Sequence, residues 1–140
     1  MQKKILIVVA NFYDDVSGLL VCGAKNYLKE NNVNFDVIEI DGALEIAAVI
    51  NFAKDNYDGF VALGCVIRGQ TSHYDYVCEN SIRNLCDLGI SNNLAIGNGV
   101  LTCENKDQAL ARAGGDGKNK GAFAAKVCLD LVKIKEKFSK

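Results

Sequence analysis

Two near-continuous apolar runs, ILIVVA at 5–10 and GFVALGCVI at 59–67, constrain this chain more than anything else in it. Each has the length of a strand. Neither alternates apolar with polar residues, as a strand wetted on one face would. Both must be covered on two sides. Two further runs, FDVIEI at 35–40 and NLAIGNGVL at 93–101, read as strands as well.

The intervening segments repeat at helical spacing. In DDVSGLLVCGAKNYLKENN the apolar positions Val16, Leu20, Ala24 and Tyr27/Leu28 share one face. Acidic residues open this segment, Lys29 lies near its end and Asn31–Asn32 stop it, an order that suits the helix dipole. ALEIAAVINFAKDN at 43–56 is a second helix, and HYDYVCENSIRNLCDLG at 73–89 a third, ended by Gly89. ENKDQALARAGG and NKGAFAAKVCLDLVKIKEKF read as a short and a longer helix. The order β-α-β-α-β-α-β-α-α implies a four-stranded parallel sheet with helices on both faces, a three-layer α/β fold joined by right-handed crossovers. At 140 residues the expectation is one domain, 1–140.

Composition excludes several classes of function. Net charge is −1 and no basic stripe is present, which argues against a nucleic-acid partner. No apolar run reaches the roughly 18 residues of a membrane span. The opening MQKKILIVVANF is too short in its apolar part for a secretory segment and reads as the first strand, so a cytoplasmic protein is expected. The six cysteines include no C-x-x-C pair, so neither a metal site nor a disulfide framework is expected. Cys22, Cys65 and Cys128 sit in apolar runs and read as small buried hydrophobes. The chain has no proline, where a usage of about 5% would give roughly seven. Its turns must therefore lean on NN, DG, GNG and GGDG.

In an open parallel sheet, ligands bind outside the carboxyl ends of the strands. Four segments are expected there: ANFYDD, DGALE, RGQTSH and GNGVLT. RGQTSH joins a strand to a new helix, so its backbone N–H groups can hold an anion, with Gly69 allowing close approach. His73 stands at the helix entrance, either as a proton carrier or as a capping or exposed histidine. Arg68 reads equally as a member of an ion pair. Phe12 either stacks on a planar ligand or packs over the sheet end. Asp14 and Asp15 start a helix. Glu45 suits a helix N-terminus and can also accept hydrogen bonds from a polyhydroxy ligand. Arg112 and Lys120 flank the turn AGGDGKN, either solvated or reaching a phosphate. A flavodoxin-type phosphate loop is missing after the first strand, and a phospho-receiver aspartate is missing after the third. The fold would be flavodoxin-like all the same.

GCVIRGQTSHYDYVCE at 64–79 resembles, almost letter for letter, the G-x-V-I-R-G-x-T-x-H-Y-D-Y-V stretch of the 6,7-dimethyl-8-ribityllumazine synthases of riboflavin synthesis. GALEI resembles their G-A-x-E-I motif, and GVLTCENKDQALARAG with NKG resembles their tail. The likeness runs nearly end to end. It implies an enzyme that joins 5-amino-6-(D-ribitylamino)uracil to 3,4-dihydroxy-2-butanone 4-phosphate, with no cofactor and no metal. By this resemblance His73 moves protons, and Arg112 holds the phosphate with Gln70 and Thr71. Phe12 stacks on the pyrimidine. Ala43 and Glu45 bind the ribityl chain, Val66 and Ile67 border the ring, and Lys120 lies near the anionic ligand. The chain departs from the pattern at Asp41 and Ala47, where many members carry proline. It departs again at Asn98, where many carry an aromatic that reaches a neighbouring subunit's ligand. The family's sites lie between subunits, which implies a homopentamer or a larger shell. A non-catalytic flavin-binding or lumazine-binding module, or a shell protein of the same fold, would be the alternatives.

Overall fold

The computed structural model describes residues 3–69, 72–115 and 117–139. Strand β1 (Lys4–Ala10) leads into helix α1 (Asp14–Glu30), followed by β2 (Asn34–Ile40). A single 3-10 turn, Ala43–Glu45, precedes α2 (Ile46–Ala53). Then come β3 (Gly59–Ile67), α3 (His73–Asn92), β4 (Ile96–Cys103), α4 (Lys106–Ala113) and α5 (Lys120–Lys137). All strand pairs are parallel, in the order β2-β1-β3-β4. This is the flavodoxin-like arrangement, with a switch point between β1 and β3.

The apolar runs behave as their pattern demands. Residues 5–10 of β1 and 59–65 of β3 are buried throughout. Ile5, Ile7 and Val9 face a core shared with α1, α4 and α5, including Val16, Leu20, Ala109 and Ala125. Leu6, Val8 and Ala10 face the opposite core, with Ile46 and Ile50 of α2 and Leu85 of α3. The strict alternation of β1 side chains between two cores is what makes the run continuously apolar.

Helix ends explain several departures from the sequence pattern. α3 does not stop at Gly89 but runs to Asn92. Asn93 takes the left-handed conformation (φ 54°), and Leu94 N donates to the Gly89 carbonyl at 2.9 Å. α1 closes the same way, with Asn32 at φ 57° and Val33 N donating to Leu28 O at 3.0 Å. Asparagine tolerates this conformation and does the work expected of Gly89. The second helix is shorter than 43–56, because its first residues form the 3-10 turn.

GNG is not a turn. Residues 97–99 lie inside β4, which ends at Cys103, so GNGVLT is not a strand-end loop. The glycines are there for packing. A Cβ at Gly97 would collide with the Ala124 carbonyl, and one at Gly99 would come within 3.0 Å of the Ala124 Cβ. They let α5 lie directly on the strand. Gly121, in the NKG segment, does the same for α5 against the Leu20 carbonyl of α1. The buried reading holds for Cys65 and Cys128 but fails for Cys22, which is exposed on the outer side of α1. Its helical phase lies off the stripe of Val16, Leu20 and Ala24.

Candidate active site

The carboxyl ends of β1, β2 and β3 open onto a cleft of about 440 Å³. Its size suits a small organic ligand. Phe12 comes from the β1–α1 turn, and Ala43 and Glu45 come from the 3-10 turn after β2. Val66 and Ile67 come from the end of β3, and His73 is the first residue of α3. Four separate segments thus converge, as the strand-end argument requires.

Each wall follows from its local structure. Phe12 is 75% exposed, so it does not pack over the sheet end. Its ring stands edge-on to Tyr13, with centroids 4.9 Å apart at 84°, and lines the cleft. Ala43 is the buried residue of the 3-10 turn, which Glu45 N closes on the Gly42 carbonyl at 3.2 Å. A Cβ at Gly42 would meet Glu45 Oε1 at 2.5 Å, so glycine there lets the carboxylate fold back toward the cleft. Val66 and Ile67 are half-buried strand-end residues whose apolar surface forms the floor. Cys65 also borders the space, and burial pushes its thiol up to about 12. Such a thiol stays protonated and is no nucleophile.

The remaining expectations divide. Gln70 and Thr71 lie outside the described residues. Arg112 sits in the last turn of α4, where Nη1 approaches Thr102 O at 3.5 Å and Cys103 Sγ at 3.2 Å, and it does not line the cleft. Lys120 opens α5 with its ammonium 4.9 Å from the Phe123 ring centre, also away from the cleft. Asn98 lies mid-strand on the edge strand β4, its Oδ1 accepting from Val100 N at 2.9 Å. Among the described lining residues there are two carboxylates, Asp41 and Glu45, and no lysine or arginine. Asp14 and Asp15 start α1 as expected. Asp15 Oδ1 accepts from Val16 N at 2.9 Å, and the Lys106 ammonium at 2.9 Å holds the Asp15 carboxyl below its ordinary range.

Sequence reasoning missed Tyr13, Leu44, Tyr74 and Val77, which also line the cleft. For Tyr74 and Val77 a signal existed: they lie three apart on the helix that His73 begins, so they share its inward face. Arg68 resolves as an ion-pair residue, with Nε 3.0 Å from each carboxylate oxygen of Glu104. Among the described residues, no group of three or more His, Cys, Asp or Glu could hold a metal ion, and no helix is long and apolar enough to cross a membrane.

Known proteins resemble this chain in sequence. A family model described as 6,7-dimethyl-8-ribityllumazine synthase matches residues 2–136. Relatives of that name include one from Bartonella bacilliformis, 50% identical over 142 residues that cover 99% of this chain and 93% of the relative. The Agrobacterium fabrum protein is 50% identical, covering 97% of each chain. That of Novosphingobium aromaticivorans is 47% identical, covering 99% of this chain and all of its own. A strand-end cleft entered by His73, a matched span of residues 2–136 and identities near one half over whole chains lead to one conclusion: this chain belongs to the 6,7-dimethyl-8-ribityllumazine synthase family.

Proposed function

We propose that this chain condenses 5-amino-6-(D-ribitylamino)uracil with 3,4-dihydroxy-2-butanone 4-phosphate to give 6,7-dimethyl-8-ribityllumazine, phosphate and water. The observation that carries the residue assignments is the convergence of Phe12, Ala43, Glu45, Val66, Ile67 and His73 on one cleft. The pyrimidine ring stacks on Phe12 over the apolar floor of Val66 and Ile67. The ribityl hydroxyls donate to Glu45 and lie along Ala43. The ring amino group attacks the butanone carbonyl, and loss of water gives an imine. Phosphate then leaves, and the second nitrogen closes the ring with loss of another water. Each step moves protons between nitrogen, carbon and oxygen, and His73 is the cleft's imidazole for that task.

The phosphate is negatively charged, and the described cleft lining contains no lysine or arginine to pair with it. We assign that role to Arg112 and Lys120 of a neighbouring subunit in a homopentamer, with Asn98 near the same junction. The surface supports assembly: of the twenty residues in α3 only Ser81 and Leu85 are buried, while Tyr76, Ile82 and Ile90 are exposed. A helix so thinly covered suits an interface. The polar, phosphorylated substrates fit a cytoplasmic enzyme.

The test is a turnover assay with both substrates, followed by the absorbance and fluorescence of the lumazine. Product should form well above the uncatalysed background. His73→Ala should slow kcat by about 10²–10⁴-fold with little change in KM. An unchanged rate removes His73 from the mechanism, and no product at all removes the enzyme reading.

A further inference from the structure

Arg68 ends the β3 ladder, its backbone N–H donating to the Cys103 carbonyl at 2.9 Å. From there its guanidinium reaches in two directions. Nε lies 3.0 Å from both carboxylate oxygens of Glu104, the residue that follows β4. Nη2 lies 3.5 Å from Asp75 Oδ1 in the first turn of α3, and the guanidinium carbon sits 4.4 Å from the centre of the Tyr74 ring. One side chain thus ties the ends of β3 and β4 together and reaches the helix that begins with His73. Tyr74, under the guanidinium, is itself a wall of the cleft.

Stability does not account for this arrangement. The Arg68, Asp75 and Glu104 side chains are 42%, 62% and 57% exposed, and ion pairs this open add little. What a guanidinium adds is direction. Its planar fork fixes the carboxylates in angle as well as distance, and its flat face stacks on an aromatic ring. A lysine ammonium supplies the charge without the geometry. Arg68 does not line the cleft, and its fork is occupied by carboxylates, so it is not placed to take substrate phosphate.

We propose that Arg68 is a positioning residue, which fixes the first turn of α3 through Glu104, Asp75 and Tyr74 and thereby aims the His73 imidazole into the cleft. The proposal rests on the reading of His73 as the proton carrier. A misplacement of about 1 Å at a reacting group can cost about 10²-fold in rate.

The experiment is a double-mutant cycle in the assembled enzyme: Arg68→Ala, His73→Ala and the pair, each with kcat and both KM values. Arg68→Ala alone should lower kcat about ten-fold or more and leave both KM values within about three-fold. In the His73→Ala background it should cost nothing further, because a residue acting through another loses its effect when that other is gone. Equal losses in both backgrounds overturn the proposal. So does a rise in KM confined to the butanone phosphate, which would make Arg68 a substrate ligand. If His73→Ala is itself fully active, the proton-carrier reading has failed first and takes this one with it. Should Arg68→Ala not assemble, Glu104→Gln and Arg68→Lys run through the same cycle. Each should lower kcat partially and only when His73 is present, and wild-type rates for both would overturn the proposal.

Discussion

Arg112 turns its guanidinium back onto Cys103, with Nη1 3.2 Å from the sulfur, and so stands on its own chain's sheet rather than in the cleft that His73 enters. Its helix α4 belongs to the layer of α1 and α5, across the sheet from α3. Under the proposed function the two residues meet across a junction between subunits. That has a sharp consequence for mixtures. If the proposed pentamer forms, the His73→Ala and Arg112→Ala assemblies should each be nearly inactive. When the two are co-expressed and assembled at random around a ring, about a quarter of the junctions pair an intact His73 with an intact Arg112. Activity should return to about that fraction of wild type. Mixtures no more active than their components would place both residues in one chain's site.

The particulars show what the sequence could and could not display. The central strands were legible because burial on both faces forbids alternation, and residues 5–10 and 59–65 carry that constraint in their composition. The cleft was legible because strand ends collect ligands whatever the family, and ANFYDD, DGALE and the described residues of RGQTSH, Arg68, Gly69, Ser72 and His73, lie at three of them. GNGVLT was misread because glycine has two uses. It frees a turn, and it admits a neighbouring backbone, as Gly97 admits Ala124. Local sequence does not distinguish them. Arg68 stayed ambiguous for a different reason: its partner Glu104 is 36 residues away, and only the parallel pairing of β3 with β4 brings them together. Asn31–Asn32 stop α1 as the sequence indicated, whereas α3 runs past Gly89 and closes at the left-handed Asn93, a choice between two possible stops that local sequence does not decide.

The contact of Gly97 with the Ala124 carbonyl predicts a strong sensitivity at a position far from the chemistry. A methyl group there meets backbone, which cannot rotate away, so α5 must move off β4. Gly97→Ala should destabilise the chain by at least about 1–3 kcal/mol, the range for overpacking a core. Gly69→Ala is the control, since a Cβ there meets nothing within 4 Å. Urea unfolding of the two variants measures the difference. Equal midpoints would show that α5 is not seated on β4 as described.

Cys65 and Cys128 should resist alkylation in the native enzyme. Burial is the first cause in both, raising each thiol to about 12. At pH 8 almost none of either is thiolate, the reactive form. Treatment with iodoacetamide and peptide mass spectrometry should find both unmodified in folded protein and both modified after unfolding in guanidinium. Rapid labelling of Cys65 in the native state would mean that the cleft floor opens to solvent, contrary to its burial under the strand end.

The ion pair between Asp15 and Lys106 joins the first turns of α1 and α4 at 2.9 Å and makes stability depend on acid. The hydrogen bond from Lys106 lowers the Asp15 carboxyl below its ordinary 3.8. A carboxyl lowered on folding binds fewer protons in the native than in the unfolded state. Its contribution is therefore complete above pH 3.8 and is lost as pH falls through the lower folded value. Lys106 is raised by the same contact, so its share is complete below its ordinary 10.5 and fades as pH rises past the higher folded value. Asp15→Asn keeps an oxygen for Val16 N and removes only the charge. Denaturation of the two proteins between pH 3 and 7 should show curves separated by a small constant amount above about pH 4, converging below it. Because both side chains are about half exposed, the separation should also shrink in 1 M salt. Curves that stay parallel through the acid limb would remove Asp15 from the acid sensitivity of the fold.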